Sequence, residues 1–247
     1  MKFRLLVICL LCSAAPAMAQ RETFTNLNGW LAWFNDVELP HGWFVDSDLN
    51  ARRSGPYDEV QQYLWRVSLR RNLMPNVRVA VGYAGSDTHP YGDLPIALRT
   101  PEHRLFEHLQ LLHATGRTQW THRYRLEQRW GGRMALEDGE PQVQNWIRTN
   151  RFRYLVRATV PLQGTTLDVN EWFVTVGDEL FMNWGANVQQ NVFDQNRLMG
   201  SVGRRLGSRM RLEVGYTEQL IERPNGRQLE RNHTLTTTLT TSFARGR

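Results

Sequence analysis

Arg123, Arg125, Glu127 and Arg129 occupy every second position of "WTHRYRLEQRW". A second set, Arg151, Arg153 and Arg157, recurs in "NRFRYLVRATV", and Glu179, Arg197, Arg211 and Glu213 follow later in the chain. A spacing of two puts such residues on one face of a strand, so each set is a ladder of charges and not scattered surface charge. Guanidinium and carboxylate ladders support two kinds of chemistry. They can line a constriction that binds or passes anions, or they can pair with each other and brace a polar interior. From earlier in the chain, Asp36, Glu38, Asp46 and Asp48 are expected to point to the same interior.

Catalytic chemistry has little to work with. The histidines His41, His89, His103, His108, His113, His122 and His233 have few serines nearby, and no Gly-x-Ser-x-Gly elbow occurs. His103, His108 and His113 recur every five residues, so consecutive ones face opposite sides of a strand and make a poor metal cluster. Asp46 and Asp48 have a spacing that serves acid–base work, but such pairs more often meet an arginine. No enzyme activity, metal site or cofactor is expected. A lipid-modifying activity resting on His122 is the remaining catalytic alternative.

The N-terminus bounds the compartment. Lys2 and Arg4 precede the apolar run "LLVICLLCSAA", and Ala17-Met18-Ala19 fits a small-x-small cleavage site before Gln20. Residues 1–19 are therefore expected to be a signal peptide, and 20–247 one exported domain. The run is shorter than the roughly 20 apolar residues of a spanning helix. Cys12 as a lipid anchor is disfavoured, because Leu11 precedes it where a small residue is needed. Cys9 and Cys12 are the only cysteines, so the mature chain has neither disulfides nor thiolate chemistry. Lys2 is the only lysine, so every mature cation is an arginine, and the net charge falls from +6 to about +4. The pI of 9.8 alone points to nucleic acid, but the arginines are interleaved through strands without a basic run, and no nucleic-acid partner is expected.

The elements that must position the ladders read as strands throughout. "YLWRVSLRRN", "NVRVAVGYA", "SRMRLEVGYTEQ" and "HTLTTTLTTSF" all alternate apolar with polar residues. Tight turns at 73–76, 114–118, 161–166 and 205–209 alternate with longer links at 85–101, 131–144, 184–191 and 222–230. Short and long links on opposite rims are the arrangement of an outer-membrane barrel. Trp120 and Trp130, ten residues apart, span roughly 33 Å of strand, or about 25 Å of height at a tilt of about 40°. These two and Tyr216 are read as an interfacial aromatic girdle. The fold class is thus an all-β transmembrane antiparallel up-and-down barrel of 10–12 strands. Twelve is favoured if "RETFTNLN" (21–28) adds a strand before 30–39, and a soluble barrel with its core inside is the alternative.

The blocks "PEHRLFEHLQL", "THRYRLEQRW", "NRFRYLVR", "GDELFMNWG" and "FDQNRLMGSVGRRLGSRMRLEVGYTEQ", in that order, resemble the bacterial domain-of-unknown-function family 2490. The resemblance implies a barrel in a Gram-negative outer membrane and implies no activity. Phe243 ends the last strand four residues before the C-terminus, a partial match to the terminal aromatic expected by the barrel assembly machinery. The resulting expectation is a barrel in outer-membrane lipid with an arginine-rich lumen, porin-like, serving as a small passive channel or binding slot for anionic solutes. The alternative is a closed structural barrel whose loops bind a partner or surface ligand. Oligomeric state is left open.

Overall fold

The structure, a computed structural model, describes residues 21–55 and 57–243; the expected signal peptide lies outside the described residues. Period-two patterning over most of the chain folds as eleven strands. In chain order they are β1 (Glu22–Glu38), β2 (Trp43–Ser54), β3 (Glu59–Met74), β4 (Val77–Thr88), β5 (Thr100–Thr115) and β6 (Thr118–Glu137). They continue with β7 (Glu140–Pro161), β8 (Trp172–Trp184), β9 (Phe193–Gly207), β10 (Met210–Glu222) and β11 (Gln228–Phe243).

Each strand pairs with the next in antiparallel fashion, and β1 closes the barrel against β11 in parallel. An odd count dictates that closure, since strands alternating in direction leave the first and last pointing the same way. Twelve strands are favoured by the sequence within a range of 10–12, and the described residues form eleven. The stretch 21–28 adds no separate strand because nothing turns the chain at its end. Gly29 stays extended, opposite Arg53 on one side and Leu235 on the other, and the run continues to Glu38.

The links sort onto two rims as expected, with two corrections. The stretch 131–144 is not a long loop. β6 and β7, of 20 and 22 residues, continue through it to a two-residue turn at Asp138-Gly139. Both turn residues have positive φ (51° and 83°), as a type I′ hairpin turn requires. The stretch read as loop because both faces of this projecting hairpin are largely exposed, which erases the alternation. Conversely, the turn placed at 161–166 is a longer link, 162–171.

The polarity of the barrel is inverted relative to a water-soluble one. Val81 and Val176 point outward and are 62% and 60% exposed, with Leu49, Leu105, Leu198 and Val214 also exposed outside. Arg153 and Glu127 point inward and are 4% and 1% exposed. Few apolar side chains share the interior. Phe106 does so by lying against Gly82, where a Cβ would stand 2.5 Å from its ring.

Candidate functional site

Strand register assembles the ladders. Pairing of β6 with β7 sets Arg125 opposite Arg153 and Glu127 opposite Arg151. Pairing of β8 with β9 sets Glu179 opposite Arg197. Glu127 accepts two hydrogen bonds from Arg151 on Oε2 (2.9 and 2.6 Å) and one from Arg153 on Oε1 (2.7 Å). Glu179 accepts through Oε1 from Arg153 (3.0 and 2.7 Å) and from Arg123 (2.8 Å). Arg151 also donates to Asp194 at 2.9 Å. Arg129 forks onto Glu102 at 3.0 and 2.7 Å, and Arg104 pairs with the same carboxylate. Arg66 donates to both oxygens of Asp48 at 2.9 and 2.8 Å.

The lattice has an aromatic centre. Phe181 is fully buried, with the guanidiniums of Arg153, Arg197 and Arg151 at 4.4, 4.7 and 5.3 Å from its ring centroid. Such stacking suits arginine, whose planar cation is weakly hydrated. Arg125 is held least. It lies over Phe106 at 4.4 Å and 3.8 Å from Glu127, and its Nε and Nη1 lack hydrogen-bond partners.

Of the residues singled out from sequence, the structure brings Arg123, Arg125, Glu127, Arg129, Arg151, Arg153, Glu179 and Arg197 into this one lattice. Arg157 and Glu213 pair at 2.5 Å nearer the other rim, where Ser201 also donates to Glu213 at 2.9 Å. Arg211 is inward on the same strand as Glu213, without an acid in ion-pair range among the described residues. Asp46 and Asp48 meet arginines, as expected for acids so spaced, and Asp36 lies 3.9 Å from Arg70. Glu38 is exposed at the end of β1.

Above the lattice lies a cavity of about 190 Å³. Its wall includes seven arginines, Arg52, Arg66, Arg104, Arg129, Arg151, Arg153 and Arg197, and only two acids, Glu102 and Asp194. Trp30 and Tyr91 complete one side. Tyr91 belongs to the link 89–99, which starts from β4 and crosses the barrel mouth. Tyr91 Oη donates to Glu230 on β11 at 2.7 Å, and the Asp93 amide donates to Asn26 on β1 at 3.2 Å. Arg223, just past β10, donates to the Leu94 carbonyl at 2.9 Å. Burial, and then the Glu230 carboxylate, raise the Tyr91 phenol above its ordinary pKa, so it remains a donor.

Sequence reasoning missed Arg52, Arg104, Trp30, Phe181 and Tyr91 as parts of the site. Extending the alternation from Asp46 and Asp48 through Asn50 reaches Arg52. The same parity as Glu179 reaches Phe181.

The outer face carries aromatics near its edges. Trp120 and Trp130 point outward at either end of the regular part of β6. His113 stacks on Trp120 at 6.1 Å, and Arg148 lies 5.9 Å from the Trp130 ring. Tyr216 sits mid-strand, where the outward apolar run Met210, Leu212, Val214 gives way to the Glu218–Arg231 pair at 3.3 Å. Two further outward carboxylates take a donor from the neighbouring strand, Glu107 from Gln128 (3.2 Å) and Asp178 from Asn196 (2.6 Å).

Compared with known proteins, the chain matches neither a curated protein nor a solved structure. A family model does match, over residues 27–230, which takes in every strand of the barrel in whole or part. Its description reads "Protein of unknown function (DUF2490)", and the chain belongs to that family.

Proposed function

We propose that this chain is an outer-membrane β-barrel whose arginine-rich lumen is a binding slot for small anionic solutes, and not a free channel. The membrane part of the reading is supported by the inverted polarity. Exposed Val, Leu and Trp side chains all round a barrel suit lipid, and an interior of paired charges suits a lumen. Each of the outward carboxylates Glu107, Asp178 and Glu218 has a donor beside it, which lipid demands of any polar group it covers. The expected signal peptide supplies the export route, and outer-membrane lipid and the barrel assembly machinery are the implied partners.

The slot rests on one observation, the cavity walled by seven arginines and two acids. Eleven strands fall between the packed eight-stranded barrels and the open porins of 16–18 strands. At the level of Phe181 and Glu127 side chains fill the lumen, and the 89–99 link crosses the mouth above. The reading of the lattice as bracing alone draws on the multiple partners of Glu127 and Glu179. It accounts for the lower lattice and not for the excess of cations around the cavity.

The test is the stability of refolded protein in vesicles at constant ionic strength. Small anions that enter the slot raise the unfolding midpoint as mass action requires, while exchanging the cation leaves it unchanged. The response disappears in Arg197→Gln, which separates site binding from the general stabilisation by salting-out anions. A midpoint indifferent to the anion, or a response that survives Arg197→Gln, removes the slot and leaves bracing.

A further inference from the structure

The lattice does not balance. Nine arginines, at 52, 66, 104, 123, 125, 129, 151, 153 and 197, surround five acids, at 48, 102, 127, 179 and 194. The interior thus carries four positive charges more than its carboxylates offset. Guanidinium does not give up its proton in proteins, so the usual escape of a buried charge, neutralisation, is closed. An anion from outside the chain would offset that excess.

The structure also shows where that excess is concentrated. Seven of the nine arginines have a carboxylate within 4 Å, and the two without one among the described residues, Arg52 and Arg197, both face the cavity. Both guanidiniums lie over the Trp30 ring, at 4.2 and 5.2 Å from its centroid, so they share one aromatic platform. Their polar contacts are to amides: Arg52 donates to Gln62 at 2.9 Å and Arg197 to Gln195 at 3.2 Å. Arg52 Nε is buried with no hydrogen-bond partner among the described residues. Two cations without acids and an unused N–H converge on one space, closed on one side by Tyr91, whose hydroxyl is given to Glu230.

The geometry points to a site for a phosphate group, held as a dianion by Arg52 and Arg197 over Trp30 and covered by the Tyr91 link. This rests on the reading of the lumen as an anion slot and names the class of anion. Two unpaired cations match a doubly charged group, and the planar fork of arginine matches phosphate oxygens pairwise. The volume agrees. A cavity of about 190 Å³ has room for one phosphate group. The same group is carried by free inorganic phosphate and by a glycerol phosphate headgroup.

Equilibrium dialysis of the refolded protein against radiolabelled inorganic phosphate tests the site, with glycerol 3-phosphate, acetate and chloride as competitors. One phosphate per chain is expected, displaced by glycerol 3-phosphate and not by equal concentrations of acetate or chloride. If glycerol 3-phosphate displaces phosphate at far below the phosphate concentration, the headgroup is the source; if at comparable or higher concentration, free phosphate is. Arg52→Gln and Arg197→Gln should each weaken binding roughly tenfold or more, the scale of a charge-assisted contact. Arg133→Gln, on the exposed hairpin, should leave it unchanged. Where a glutamine variant fails to fold, Arg52→Lys keeps the charge, removes the fork, and should still weaken phosphate more than chloride. Displacement by acetate as readily as by glycerol 3-phosphate overturns the phosphate assignment and leaves the anion slot standing. Absence of anion binding altogether overturns both, and binding unaffected by Arg52→Gln and Arg197→Gln overturns the location.

Discussion

Arg153 sets both Nε and Nη2 on a single oxygen of Glu179, at 3.0 and 2.7 Å, while its Nη1 reaches Glu127 at 2.7 Å. One guanidinium on β7 therefore ties both neighbouring strands together inside the lumen. Glu127 in turn holds two arginines, Arg151 and Arg153. Glu127→Gln keeps the shape and removes the charge, leaving two buried guanidiniums short of a partner. It is expected to destabilise the barrel by about 3–5 kcal/mol, the range for breaking a buried ion pair. The readout is a lower urea midpoint at unchanged slope.

Arg125 should behave in the opposite way. With its nearest acid at 3.8 Å and two N–H groups unpartnered, it adds desolvated charge to an interior already over-supplied with it. Arg125→Met keeps the contact with Phe106 and removes that charge. The unfolding free energy should stay within about 1 kcal/mol of the parent or rise. A loss matching that of Glu127→Gln would mean that the lattice needs Arg125 as well.

The charged ladder from Arg123 to Arg129 was legible in the sequence because each alternate residue is apolar, which fixes the face. Arg52 was not. It sits beside Arg53, one on each face, so the alternation there carries no sign. Trp30 and Phe181 were hidden by a rule that holds elsewhere on this barrel, where the aromatics of β6 point outward. Inside, their rings serve as platforms for arginine, a role that composition does not distinguish from a place in lipid. Tyr91 depends on where an eleven-residue link folds, which no local pattern encodes. Eleven strands lie within the expected 10–12, and only the preference for a twelfth fell at Gly29, a residue that permits a turn and here makes none.

The parallel seam offers a direct check of that count. Leu31 on β1 stands opposite Thr237 on β11, both on the outer face. Leu31→Cys combined with Thr237→Cys, in a chain begun at Gln20 that has no other cysteine, should form an intramolecular disulfide in high yield. A twelfth strand between them would add about 4.8 Å and prevent it.

The outer face should reject charge. Val81 is outward and widely exposed in the apolar stretch of β4. Val81→Arg is expected to lower the stability of the vesicle-inserted barrel by about 2–4 kcal/mol if it lies near the midplane. Arg133→Lys, on the projecting hairpin, should have no measurable effect, and both are read from unfolding in the presence of lipid.

Single-channel recording in planar bilayers under a salt gradient decides whether this lumen holds anions without passing them freely. Insertion of the refolded barrel is confirmed independently by its resistance to urea in vesicles of the same lipid. Inserted protein should show no steady conductance steps in either direction of the gradient. Regular ohmic steps that grow with salt concentration would contradict it and make the arginine lumen a filter in an open pore.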